Sequence, residues 1–301
     1  VPETVPLIIE AAINGATSKH RNPNVPRTPA EVTADALRCI EAGAAIVHNH
    51  NDDPVLGGAT GRHATRPYVD AWRPILARYP GVLLYPTMAG GGPHTTITER
   101  YAHIEELCAA GLLRVGLVDC GSCNIGPLDR DGLPAAVDLV YQNTYADARS
   151  MFETCERLRL GPSISCFEGG FVRVAAAYAR AGRMPPGALV KFYFGGDHAA
   201  FGLPPTEASL NAYLGVIEGT GLPWQAACQA GDVIGSGMAR LAIERGGHVR
   251  VGLEDYAGPG TPRNEELVRA VAAIAAEVGR PIATPEEAAA ILGIPRGAAG
   301  G

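Results

Sequence analysis

Positive charge is in short supply in this chain. Against 31 acidic residues it carries 25 lysines and arginines, a net charge of -6 over 301 residues. Without a basic footprint, nucleic acid and anionic membrane surfaces are poor partners. No apolar run reaches the roughly 18–20 residues that span a bilayer, so no membrane segment is expected. The opening "VPETVPLIIE" lacks a basic stretch followed by a long apolar one, which removes the argument for export. Paired cysteines are missing too. The seven present are odd in number and scattered, which suits a reducing cytoplasm better than a disulfide framework. Cys120 and Cys123 form a C-x-x-C with no second pair beside it, and read as ordinary buried thiols. Repeats, low-complexity tracts and linkers are also lacking. The remaining composition, 47% hydrophobic and 19% charged, is an ordinary globular mixture, expected as a single domain over residues 1–301 in the cytoplasm.

What is present is alternation. β-rich runs occur at 6–13, 44–50, 81–88, 112–119, 163–169, 189–196, 224–230 and 248–255. Amphipathic, alanine-rich stretches separate them, at 28–43, 99–111, 146–160, 170–182, 206–220, 232–247 and 263–279. The first of these opens on Thr28 as cap and Pro29 in the first turn, and stops at Gly43. Eight such units in about 250 residues predict a closed (β/α)₈ barrel. A doubly wound sheet would want a glycine-rich phosphate turn after the first strand, and "AAINGATSK" is not one. The least typical strand is 224–230, rich in glutamine and alanine rather than branched residues.

In such a barrel the chemistry gathers at the C-terminal ends of the strands. The second strand ends in "AGAAIVHNHNDDP", which places His48 and His50 two residues apart. Residues i and i+2 of a strand face the same side, so both imidazoles can aim at the barrel axis, fixed in advance for a metal. The last strand runs through Arg250 to Glu254 and Asp255. Strands eight and two both lie near strand one in a closed barrel, so Glu254 can complete a two-histidine, one-carboxylate set with an open position. Arg250 and Glu254 share strand parity and are expected to point inward together, with Asp255 as a base in the following loop. Glycines 90–92 and 195–196 would let a phosphate or thioester approach the backbone, and His198 lies in the loop after strand six.

The segments "PLIIEAAINGATSKHRNPNVPRTPAEV", "AGAAIVHNHND", "GSCN" and "GGHVRVGLED" resemble, in the same order, the β-keto acid cleavage enzymes. That resemblance implies a divalent metal, usually Zn²⁺, on His48, His50 and Glu254. It also implies acetyl-CoA as co-substrate: a β-keto acid and acetyl-CoA would yield acetoacetate and a new acyl-CoA by Claisen and retro-Claisen steps. Asp255 matches the base, Arg250 its assisting arginine, and Thr87 the strand-three hydroxyl, which is often serine in the family. Thr17, Gly90, Ser122, Asn124 and Ser165 match substrate-binding positions. Relatives that handle an aminated substrate carry acids where this chain has Thr17 and Ser163 or Ser165. A non-aminated β-keto acid is therefore expected, read by Arg27 or His20. Family members are typically dimers or tetramers.

Two rival readings start from the same residues. A metal-dependent amidohydrolase also uses H-x-H, but on strand one, with further ligands and often a bridging lysine. This chain has only Lys19 and Lys191, and no histidine on strand five. The other is a barrel that binds an acyl-CoA or keto acid without turnover.

Overall fold

The computed structural model describes residues 5–53, 62–90 and 95–295. Glycines 91 and 92 and Pro54 lie outside the described residues. Eight parallel strands form one sheet: β1 (Ile9–Ala12), β2 (Ile46–Asn49), β3 (Leu83–Pro86), β4 (Val115–Asp119), β7 (Gly161–Cys166), β8 (Leu189–Gly195), β9 (Trp224–Gln229) and β10 (His248–Val251). Between β4 and β7 sits a small antiparallel ribbon, β5 (Cys123–Asn124) with β6 (Val140–Tyr141). The order around the large sheet is β3-β2-β1-β10-β9-β8-β7-β4, and β3 lies beside β4 to bring the barrel nearly to closure. The predicted (β/α)₈ architecture is the one observed.

The helices are α1 (Pro29–Glu41), α2 (Arg66–Arg78), α3 (Ile97–Ala109), α4 (Tyr145–Leu158), α5 (Gly169–Arg180), α6 (Glu207–Ile217), α7 (Met238–Glu244), α8 (Asn264–Val278) and α9 (Pro285–Leu292). Caps written in the sequence set several starts. Thr28 and Glu31, Thr96 and Glu99, Thr144 and Asp147, and Thr284 and Glu287 each close a reciprocal capping box. The sequence reading overlooked α2 and α9. In α2 the interior Pro74 removes a backbone donor and argues against a helix. The buried face of Tyr68, Ala71, Trp72 and Ile75 outweighs that cost. The β5–β6 ribbon has two residues per strand, too few for any periodicity to register.

The strand ends also need correction. The run at 248–255 stops being strand at Val251, so Glu254 and Asp255 lie in a turn and strand parity does not orient them. The run at 163–169 is shifted back to 161–166. The glutamine-rich β9 is nonetheless a full strand, and its Gln225 is buried inside the barrel.

Outside the sheet the core is mostly apolar. Inside it, at mid-height, the barrel holds charge. Glu10 and Arg250 are register partners across β1 and β10, and Lys191 and Gln225 across β8 and β9. All four are buried, with Tyr85 from β3 among them. Among the described residues no helix is long and apolar enough to cross a membrane. All seven cysteines are free, and Cys120 packs toward the Phe171 carbonyl rather than toward Cys123.

Candidate metal and substrate site

His48 is the penultimate residue of β2 and His50 lies one residue past the strand end, and the two rings lie edge to face with centroids 5.2 Å apart. The His48 Nδ1 lies 3.2 Å from the carbonyl oxygen of Tyr85, and the ring stacks on the Tyr85 ring at 4.4 Å. A carbonyl only accepts, so Nδ1 carries the proton and Nε2 presents its lone pair. That lone pair faces Glu254 Oε2 at 3.2 Å, and His50 Nε2 faces Glu254 Oε1 at 3.2 Å. Burial holds His48 well down, at about 4, against the pull of Glu254 in the other direction. A neutral acceptor on His48 therefore opposes the carboxylate of Glu254, whose Oε2 finds no hydrogen-bond donor among the described residues. A cation between them relieves that opposition, and the ligand atoms of the three residues all lie within 4.8 Å of one another. The donor set fits a divalent metal.

Backbone detail, rather than strand parity, aims Glu254. After β10 the chain turns at Gly252, where φ is 146° and a Cβ would overlap the Ala12 carbonyl. The Glu254 amide then donates to the Ala12 carbonyl at 3.1 Å, tying the turn to the end of β1. Gly15, with φ at 52°, leaves the space that the Glu254 side chain occupies; a Cβ there would overlap Glu254 Cγ. Two asparagines complete the frame. Asn14 accepts from the His50 amide at 2.8 Å and donates to the His50 carbonyl at 3.0 Å. Asn264, at the start of α8, accepts from the Leu253 amide at 2.8 Å and donates to the Ile13 carbonyl at 2.8 Å. Gly15→Ala is accordingly expected to displace Glu254 and weaken metal retention by roughly 10- to 100-fold, the range for disturbed ligand support. Equilibrium dialysis of the folded variant against a metal buffer measures it.

Beneath the triad, Arg250 joins three carboxylates. Its Nε and Nη2 grip both oxygens of Asp255 at 2.8 and 3.2 Å, Nη2 reaches Glu254 Oε1 at 3.0 Å, and Nη1 reaches Glu10 Oε1 at 2.8 Å. Tyr85 donates to Glu10 and receives hydrogen bonds from Arg250 at 3.1 Å and Lys191 at 3.0 Å. Burial would lift Glu10, yet Lys191 and Arg250 pull it down to about 2. Burial also lifts Asp255, and there it prevails over Arg250, with Glu254 adding to the rise, to about 6. Arg250 is 1% exposed and its donors are committed to these partners, so in the free protein it positions the acids.

Above the triad lies a cavity of about 470 Å³ whose wall includes His50, Glu254, Thr17, Thr87, Asp119 and Tyr141, with Arg21 at the rim. Of the positions expected to meet substrate, Thr17 and Thr87 border it, and the Thr17 hydroxyl donates to the Leu253 carbonyl at 2.7 Å. Gly90, in the loop after β3, and the buried Ser165, near the end of β7, lie outside the wall. Ser122 turns away to bond the Asn143 backbone, and Asn124 is an exposed member of β5. Arg250 and Asp255 are likewise outside the wall. Arg27 is spent on the carbonyls of Gly15 and Thr17, and His20 is exposed away from the cavity. His198 borders a separate cavity of about 460 Å³ with Asp197 and Asp232. Gly195 and Gly196 admit the Phe201 carbonyl and Gly231, which is close backbone packing.

The sequence reading overlooked Glu10, Asn14, Tyr85, Asp119 and Asn264. A signal for part of this set was present: Glu10 in "LIIEAA", Lys191 in "LVKFYF" and Arg250 in "HVRVG" are lone charges in the middle of apolar strands.

The fold and the three side chains gathered at its mouth define a (β/α)₈ barrel with a candidate metal site. The chain belongs to the beta-keto acid cleavage enzyme family, whose model matches residues 6–294. It is 31% identical to a 3-keto-5-aminohexanoate cleavage enzyme of Acetoanaerobium sticklandii over 296 residues, covering 96% of this chain and 98% of the relative. It is 30% identical to a 3-oxoadipate:acetyl-CoA acetyltransferase of Cupriavidus necator, covering 97% and 96%. Among solved structures it resembles ObcA bound to oxaloacetate, with a TM-score of 0.68 at 17% identity, covering 91% of this chain and 68% of that one, a likeness of fold.

Proposed function

We propose that this barrel catalyses acyl exchange between a β-keto acid and acetyl-CoA, releasing acetoacetate and a new acyl-CoA. The observation that carries the reading is the set of three inward ligand atoms on His48, His50 and Glu254, within 4.8 Å of one another beside the cavity, in a chain of this family. A divalent metal held there, zinc or another of similar preference, would supply Lewis acidity toward the keto and carboxylate oxygens of the substrate.

The protein's own residues divide the remaining work. Asp255, gripped by Arg250 beside the triad, takes the α-proton of the β-keto acid. Its carboxylate is not part of the cavity wall in the free protein, so substrate entry must expose it. Arg250 fixes the orientation of Asp255 through a two-pronged contact and supplies positive charge beside developing oxyanions. Thr87, on the wall at the end of β3, offers a hydroxyl to the reacting oxygens. Thr17 is the contact at the β1 side. The substrate is a non-aminated β-keto acid, since Thr17, Ser163 and Ser165 provide no counter-charge at the positions where ammonium-binding relatives carry acids. Assembly into a dimer or tetramer and a cytoplasmic setting belong to the same reading.

The test is acetoacetate release from a panel of neutral, anionic and cationic β-keto acids with acetyl-CoA, using metal-replete protein. Turnover of any member that requires acetyl-CoA supports the reaction class. Silence across the panel from protein shown to contain metal would reject it in favour of a hydrolytic or purely binding barrel.

A further inference from the structure

Asp119 ends β4, four places around the sheet from the strand that leads to Glu254, and so faces that residue's side of the barrel mouth. It borders the same cavity, is 6% exposed, and receives a hydrogen bond from the Tyr141 hydroxyl on Oδ2. Its other oxygen, Oδ1, is buried with no hydrogen-bond partner among the described residues. Gln229, at the end of β9, also borders the cavity, and its Oε1 is buried with no donor among the described residues. Buried acceptors in that state are costly, and at the wall of a cavity the missing donors come from water or from a ligand that replaces it. The wall beside Asp119 is apolar and aromatic, with Ile125 and Phe167, which suits an alkyl stem.

We infer that Asp119 is a specificity residue that receives a hydroxyl donor carried on the far carbon of the β-keto acid side chain. The inference rests on the cleavage reading above and names the substrate class for that site. With the keto acid end at the triad, the far end of the chain meets β4. A site that leaves a carboxylate oxygen unpaired discriminates strongly against analogues without the donor. It also repels a terminal carboxylate, which would set two anions together.

The experiment uses full-length, metal-loaded protein and four β-keto acids of one chain length. Their far carbon carries methyl, hydroxyl, ammonium or carboxylate, and kcat/KM with acetyl-CoA is measured for each. Wild type is expected to prefer a donor-bearing member over the methyl one by roughly 10- to 100-fold, the range for a hydrogen bond to a charged group. The carboxylate member is expected to rank last. The hydroxyl member is expected first, in keeping with a non-aminated substrate; ammonium ranked first would overturn the non-aminated reading while keeping Asp119 as the residue that receives the donor. Asp119→Ala should bring the donor-bearing and methyl members together, whereas Asp119→Asn, which keeps an acceptor and loses the charge, should retain the hydroxyl preference and lower the ammonium member. Tyr141→Phe, which keeps the carboxylate, should lower all members without reordering them. A purely structural Asp119 would change overall activity and leave the ranking alone. If Asp119→Ala does not fold, the wild-type ranking and the Asn variant decide. No turnover of any member overturns the cleavage reading and this inference with it. Turnover with methyl or carboxylate ranked first, or a ranking untouched in every folded Asp119 variant, overturns the Asp119 assignment alone.

Discussion

Glu254→Gln is expected to leave a folded protein that retains little metal and loses activity by about three orders of magnitude or more, equivalent to about 4 kcal/mol of barrier. The reason is local. Glutamine has the same shape, and its amide oxygen can still accept from Arg250, so the turn after Gly252 keeps its contacts. What disappears is the anionic oxygen opposite the two histidine Nε2 atoms, each 3.2 Å away in the free protein. A neutral amide in that place is a far weaker partner for a dication than a carboxylate. Elemental analysis of the purified variant, with its far- and near-UV circular dichroism, separates loss of metal from loss of fold. Full metal occupancy with wild-type turnover in Glu254→Gln would remove this glutamate from the ligand set. Stripping the wild type with a chelator and restoring zinc should reproduce the same loss and then reverse it.

The second large effect concerns stability. Arg250→Met is expected to cost roughly 3–5 kcal/mol, because it leaves Glu10, Glu254 and Asp255 buried without their shared counter-charge. For a chain of this size that corresponds to a fall in Tm on the order of 10 °C. The pH dependence carries a distinctive sign. In the wild type Glu10 sits at about 2, below its ordinary value of 4.5, because Lys191 and Arg250 together overcome burial. A carboxyl held down in the fold stabilises fully above its unfolded value, and that contribution is lost between about pH 4.5 and 2 as acid is added. Without Arg250 one of the two charges opposing burial is gone, and the depression of Glu10 shrinks or reverses. Acidification toward pH 4 should then cost the variant less stability than it costs wild type, or even improve it. Urea denaturation at pH 7, 5 and 4 measures the difference. Equal pH dependence in the two proteins would mean that Arg250 does not hold Glu10 ionised.

Much of this architecture was legible from local sequence. The βα alternation fixed eight parallel strands because periodicity depends only on neighbours two to four residues away. The T-x-x-E boxes set helix starts for the same reason, and the i, i+2 spacing of His48 and His50 placed both rings on one side of one strand. Even the lone charges of Glu10, Lys191 and Arg250 mark a polar barrel interior, although nothing local says with whom they pair. Where local rules conflict with packing they mislead, as Pro74 did within α2.

The tertiary structure decided the rest. Glu10 meets Arg250 across 240 residues of chain, a pairing that exists only when β1 closes against β10. Glu254 reaches the histidines because Gly15 leaves room for it and Gly252 turns the backbone, not because it shares strand parity with Arg250. The same closure turned Ser122 toward the Asn143 backbone and set Asp119, two residues beyond the centre of β4, in the cavity wall. Short-range patterns determine which element a residue belongs to. Which side chains share a cavity is settled by the end-to-end meeting of strands far apart in sequence, where steric room and unpaired polar groups are first defined.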